Sequence, residues 1–300
     1  MSGYTRLKSI LPAVLAVCAA LSSCGISSSK QNAVTFNGTS VSSSAAGVTV
    51  DGSSATITKA GSYNITGAAS DAQLVISTQE LGDIFLYIDG LDLTCAHDAP
   101  VKIENAENVY FITTSGDSSK ITDTREVGEY DADSAIYGKC DLFFQGEGEL
   151  IVTSNVTGIH SSDDVKIKTG TLTVKAGEHG IKGKDKVKID GGTVSVEAGK
   201  DGIKSTKTDK SDKGIVTIDG GTVSVKCGDD GISAANEVRL RGGKISVETS
   251  NNGVKAVYSI ECSNGVTLDI TTDDEGLNAP KITGDGTASV TVNGETVNIK

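Results

Sequence analysis

Acidic residues recur at fixed intervals along the second half of the chain. Glu178-His179, Lys200-Asp201, Asp229-Asp230, Asn251-Asn252 and Asp274-Glu275 each stand directly before a glycine and an aliphatic residue. Asp163 and Asp185 each follow such a glycine by five residues. Carboxylates gathered with the backbone carbonyls of glycine turns are the donor set of a hard cation, and Ca²⁺ takes six to eight oxygens. The competing reading is that turns favour Asp and Asn because these side chains cap and bend the backbone. The residue after the aliphatic position runs His160, Lys182, Lys204, Ser233, Lys255, Asn278. That short basic row beside an acidic one suits an anionic polysaccharide, with His160, Lys182, Lys204 and Lys255 as ligand-binding candidates and calcium as a bridge to uronate carboxylates. It equally describes a solvated face with local ion pairs, each worth little. A third chemistry is a lyase reaction, in which a base removes the proton beside a uronate carboxylate and a cation stabilises the anion. Lys182 or Lys204 would be that base. Against it, the chain has four arginines, and Arg239 and Arg241 fall outside the acidic corner.

These residues need elements that bring them to one edge, and an internal repeat supplies them. Glycine followed by an aliphatic residue recurs at Gly158, Gly180, Gly202, Gly231, Gly253 and Gly276, with spacings of 22, 22, 29, 22 and 23. A second glycine keeps the same beat at Gly170, Gly192, Gly221, Gly243 and Gly265. The long coil holds a polar insertion at about Ser205 to Lys213, and the 23-residue coil has one extra residue near Val266, as a β-bulge would add. Between the markers apolar and polar residues alternate with the period of a strand. One coil presents Val187, Ile189, Val194, Val196, Ala198 and Ile203, and its neighbours match it column for column. A unit this short cannot fold alone and must stack on copies of itself. The fold class is therefore all-β: a parallel β-helix of about 22-residue coils. Upstream the period blurs into irregular capping strands, and a polar excursion runs from Ser115 to Asp133. Strands near Ala288–Val292 and Val297–Ile299 should close the far end.

Composition agrees. Glycine is high at 36 residues, proline is 3 and tryptophan is absent, which suits short strands and turns. A net charge of -12 excludes a basic nucleic-acid footprint. Arg6 and Lys8 followed by the apolar run Ile10–Leu21 form an export signal, too short to span a bilayer. Leu21-Ser22-Ser23-Cys24 looks like the lipobox of bacterial lipoproteins, which places a diacylglycerol on Cys24. Residues 1–23 are then a signal peptide, 24–33 a serine-rich tether, and 34–300 the β-helix domain of an exported, monomeric cell-surface or outer-membrane lipoprotein. Its membrane contact would be the lipid alone. Export permits disulfides, but the register puts Cys227 and Cys262 inward in different columns, as small buried hydrophobes.

The run Asp133–Asp141 (DSAIYGKCD), then Gly158–Asp164 (GIHSSDD), Gly180–Asp185 (GIKGKD) and Asp201–Thr206 (DGIKST) with its insertion, resembles a bacterial carbohydrate-binding domain family. The resemblance runs from about Ala60 to the C-terminus. It implies a right-handed parallel β-helix similar to polysaccharide lyases, calcium at coil corners, an extracellular location and binding of cellulosic or pectic polysaccharide. It carries Asp141, Asp163, Asp164, Asp185 and Asp201 over as calcium-corner residues, beside Glu178, Asp229 and Asp230 from the repeat itself. Thr157 and His179 stand where coils of the family often have Asp. The expected function is non-catalytic, calcium-dependent glycan binding. A lyase and a structural surface or adhesion spacer are the alternatives.

Overall fold

The computed structural model describes residues 32–116, 118–209 and 212–300. The expected signal peptide, Cys24 and most of the tether lie outside the described residues. The first strand begins at Ala33, the last residue assigned to the tether, where Ala33 already pairs with Asn64.

Among the described residues every regular element is a strand. One coil consists of Asp164–Ile167, Thr171–Ala176 and Ile181–Gly183; the next consists of Lys186–Ile189, Thr193–Ala198 and Ile203–Ser205. Each strand pairs in parallel with its equivalent one coil on. Val165 lies over Val187, Leu172 over Val194 and Ile181 over Ile203. The register continues past the insertion, with Val187 over Val216, Val194 over Val223 and Ile203 over Ile232. The six inward columns expected from the repeat are the columns observed, and their members are buried except for the half-buried Ala176. The first two strands of each coil belong to one extensive sheet, and the short third strand belongs to a separate narrow one. Together they make a parallel β-helix.

Glycine before the aliphatic residue is a packing requirement. A Cβ at Gly158, Gly180, Gly202, Gly231, Gly253 or Gly276 would fall closer than 3.0 Å to a Val or Ile γ-carbon across the core, and at the first five also to, or within 3.0 Å of, the next coil's carbonyl oxygen. The second glycine does different work: Gly170, Gly192, Gly221, Gly243 and Gly265 have φ of 69° to 86°, the left-handed region that side chains rarely adopt.

Two expectations are corrected. The extra residue near Val266 is not a strand bulge. Leu240 pairs with Cys262 at a spacing of 22 and Lys244 with Thr267 at 23, so the added residue sits in the intervening turn, where Asn264 and Gly265 both have positive φ. The polar excursion Ser115–Asp133 is not all loop either. Ser118–Asp123 is a strand paired on both sides, with Ile121 buried. The remainder folds over a buried ion pair: Arg125 Nη2 lies 2.6 Å from Asp123 Oδ2 and Nη1 donates to the Ala132 carbonyl at 2.8 Å. That closure delivers Asp133 to the edge of the narrow sheet.

The upstream strands also form coils. Ile84–Cys95 serves two faces at once, its first half pairing with Asn108–Thr113 and its second with Ser118–Asp123. Antiparallel hairpins occupy both ends, Ala33–Gly38 with Ser40–Ser43 and Ser289–Val292 with Glu295–Val297. They occupy edges that would otherwise be free to pair with another chain. Cys95, Cys140, Cys227 and Cys262 carry free, buried thiols. Burial pushes the Cys140 thiol up to about 12 and that of Cys262 up to about 11, which makes both inert.

The stacking geometry predicts that Gly202→Ala destabilises the fold by about 1–3 kcal/mol through overpacking. Ser195→Thr on the outer face should stay within about 0.5 kcal/mol. Denaturant melts of the two variants check this, and a Gly202→Ala protein as stable as the parent would contradict the close coil approach.

Candidate functional site

The narrow sheet has one outward residue per coil, and register alone lines these up. Lys102 lies beside Tyr137, then His160, Lys182, Lys204, Ser233, Lys255 and Asn278. Strands of three residues leave turns close on either side, so acids from both turns border this row.

On the leading side each base meets an acid. Lys102 Nζ lies 2.8 Å from Asp98 Oδ2. Asp133 pairs with His160 through one oxygen and with Lys182 through the other, at 3.1 Å. Lys204 pairs with Asp201, and Lys255 Nζ lies 3.1 Å from Asp230 Oδ2. Asp201 is almost fully buried. Burial would raise its carboxyl, but His179 and Lys204 outweigh that and hold it down to about 2. The same balance, with burial opposed by His160 and Lys182, holds Asp133 down to about 2. The hydrogen bond to Asp230 raises the Lys255 ammonium.

Asp201, Asp229 and Asp230 converge, with one oxygen of each within 4.8 Å of the others. Asp230 N–H donates to Asp201 Oδ1 at 3.2 Å, which fixes the spacing across the coil gap. Asn251 Nδ2 donates to Asp229 and Asn252 Nδ2 to Asp230, both at 2.7 Å. Asp229 therefore has an amide partner where Asp201 and Asp230 have lysines. Glu178, in the preceding coil, is held by Lys200 at 2.6 Å and does not join the three.

On the trailing side Asp141, Asp163, Asp164 and Asp185 form a second acidic corner. Lys166 Nζ bridges Asp141 at 2.6 Å and Asp164 at 3.0 Å. Lys213, from the insertion, pairs with Asp185. Among the described residues no ion pair reaches Asp163. Burial, then the charges of Asp185 and Asp141, push its carboxyl up. The carboxylates of Asp201, Asp229 and Asp230 offer the oxygens that a hard cation takes, whereas among the described residues Asp141, Asp163, Asp164 and Asp185 do not converge to that degree.

A family profile described as "carbohydrate-binding domain-containing protein" matches residues 51–300. The chain belongs to this family. A carbohydrate-binding domain-containing protein of Acetivibrio thermocellus is 32% identical over 136 residues, which is 43% of this chain and 47% of that protein. The match thus spans about half the relative's length. A solved structure of the polysaccharide lyase-like protein from C. thermocellum, a gadolinium derivative, has a TM-score of 0.69 and 28% identity, covering 85% of this chain and 98% of that one.

Thr157 and His179, where the resemblance implies Asp, carry polar atoms left over in the structure. Thr157 Oγ1 and His179 Nδ1 are buried without a hydrogen-bond partner, although His179 Nδ1 stays within ion-pair range of Asp201 at 3.3 Å. Sequence reasoning did not assign Asp98, Asp133 or Lys213 to the site. Sugars stack on open aromatic faces, but Tyr137 is buried edge-on to His160 and Tyr130 lies under Arg125. Tyr110 is stacked between Phe85 and Phe143, at centroid distances of 4.8 and 4.3 Å. Tyr258 is 61% exposed.

The Asp201 carboxyl lies below its ordinary 3.8 in the folded state. Its contribution to stability is therefore present above that value and is lost as pH falls towards 2. In metal-free buffer, Asp201→Asn should cost roughly 2 kcal/mol at neutral pH and flatten the stability profile between pH 4 and 2. Denaturant melts across that range test it; an unchanged slope in the variant would contradict the assignment.

Proposed function

We propose that this protein is a non-catalytic, calcium-dependent binder of cell-wall polysaccharide, held outside the cell by a lipid on Cys24. The observation that carries the reading is the convergence of Asp201, Asp229 and Asp230 beside the row that holds Lys204 and Lys255. Three carboxylates supply part of a calcium shell and leave positions for water, backbone carbonyls and a uronate carboxylate. Asp163, the acid without an ion-pair partner among the described residues, gives the trailing corner a similar demand for a cation. Family membership supplies the carbohydrate.

The chemistry of the face favours an acidic glycan. Neutral chains such as cellulose bind through exposed aromatic faces. Here Tyr110, Tyr130 and Tyr137 are covered or stacked. A polysaccharide of uronates needs cations instead; the row holds Lys102, Lys182, Lys204 and Lys255, each already paired with an acid, so a bound calcium ion would supply the bridge. The lyase reading is weaker because Lys182 and Lys204 are both engaged by carboxylates, so neither offers a free amine to a substrate.

The test is retention on insoluble pectate and on cellulose, with and without chelator. Calcium should be required for retention on pectate, and Asp229→Asn with Asp230→Asn should weaken it by at least about tenfold. Retention that ignores both chelator and the double variant would overturn the calcium bridge. The same incubations, followed for unsaturated product, should show none; a calcium-dependent rise abolished by Lys204→Ala would establish the lyase instead.

The metal also predicts a stability effect. Calcium at a hundred times its dissociation constant should stabilise the fold by about 2.7 kcal/mol. An unchanged melting temperature on chelation would remove the ion from the account.

A further inference from the structure

A second group of metal-ligating side chains lies in the upstream coils, outside both acidic corners. Cys95 ends the strand Ile84–Cys95, His97 follows in the turn, and Asp71 comes from the turn before Gln73–Ser77, one coil away. Cys95 Sγ lies 3.5 Å from His97 Nδ1 and 3.8 Å from Nε2. His97 Nδ1 lies 2.7 Å from Asp71 Oδ1. A sulfur, an imidazole nitrogen and a carboxylate oxygen thus fall within 4.8 Å of one another.

The donor types differ from those of the acidic corners. Thiolate, imidazole and carboxylate together suit a borderline-soft divalent ion and not a hard one. The spacing suits it as well. Around a tetrahedral zinc ion, bond lengths of about 2.3 Å to sulfur and about 2.05 Å to nitrogen put those two atoms about 3.6 Å apart. The observed 3.5 Å matches that edge in length, but Nε2 is also only 3.8 Å away, so the sulfur faces the ring and the exposed imidazole must turn to aim a nitrogen at a shared ion. The nitrogen-to-oxygen edge would be about 3.4 Å, so the present 2.7 Å must open by about 0.7 Å. His97 and Asp71 are more than half exposed and stand on turns, so they have room to do so.

The turn is built to hold this arrangement. Asp71 has φ of 62°, and the Ala96 N–H donates to its Oδ1 at 3.0 Å, which aims the carboxylate at the Cys95–His97 turn. Burial pushes the Cys95 thiol up, while the backbone N–H groups of His97 and Asp98 act on the sulfur in the opposite sense. A thiol nucleophile relayed through His97 to Asp71 is a poorer fit, because Cys95 is fully buried and a bulky substrate has no approach to it. An ion enters between the exposed imidazole and carboxylate.

We propose that Asp71, Cys95 and His97 form a binding site for a divalent metal ion of the zinc class, with three protein ligands and the fourth position open to water. The site is independent of the calcium reading, since its donors and its coils are different.

Cobalt(II) is the probe, added to the full chain after stripping with chelator. One equivalent should give the thiolate-to-cobalt charge-transfer band and the intense visible bands of a tetrahedral ion. Zinc should displace it and excess calcium should not. Cys95→Ser should abolish the charge-transfer band, and Cys262→Ser should leave it intact. His97→Gln alters an exposed side chain, so folding is preserved, and it should weaken cobalt binding by more than about tenfold. Absence of the band, its survival in Cys95→Ser, or full affinity in His97→Gln would each overturn the proposal.

Discussion

From Asp164 onward each described coil stands in register on the next, about 4.8 Å away. Each side chain is therefore stacked on the residue that holds its own place in the neighbouring coil. For apolar columns the consequence is favourable, since Val187 on Val216 on Val238 buries like shape against like shape. For carboxylates it is the reverse. Two at that spacing repel by roughly 1 kcal/mol in water-like surroundings and about 3–4 kcal/mol at an effective dielectric of 20. The leading corner answers by mixing its column: Thr157, His179, Asp201, Asp230, Asn252, Glu275. Adjacent acids are held by Lys204, Lys255 and the asparagine amides. Asp201 and Asp230 each pair with a lysine while Asp229 is held by an asparagine amide, so the corner keeps a net negative charge.

The same spacing governs the backbone. Where the chain turns into the narrow sheet, the core valine and the next coil's carbonyl leave no space for a Cβ, so glycine recurs there for steric reasons. That turn also carries the acids. The rigidity that glycine packing imposes is what holds the carboxylates at a fixed separation without a ligand, and it connects the core's construction to the proposed binding face.

The repeat made the downstream coils legible from residues alone, because each column is written several times over. Cys227 could be placed in the core since Ala198 and Thr249 hold its column. Where the repeat lapses, so did the reading. Asp133 follows an excursion held by the buried Arg125–Asp123 pair, and no periodicity marks its arrival beside His160 and Lys182. Lys213 belongs to an insertion without register, and its pairing with Asp185 is a long-range event. The strand Ser118–Asp123 was hidden because two of its inward positions, Ser119 and Asp123, are polar. The Asp71, Cys95 and His97 group joins two upstream turns whose coils differ in length, so the spacing of these residues matches no metal motif.

The central claim is that charge left unresolved by stacking is the seat of a cation. Anomalous diffraction from crystals grown in calcium tests it most directly. The account predicts a calcium peak coordinated by Asp201, Asp229 and Asp230. Calcium-replete crystals with no peak at that corner, or with Lys204 and Lys255 alone closing the cluster, would contradict it.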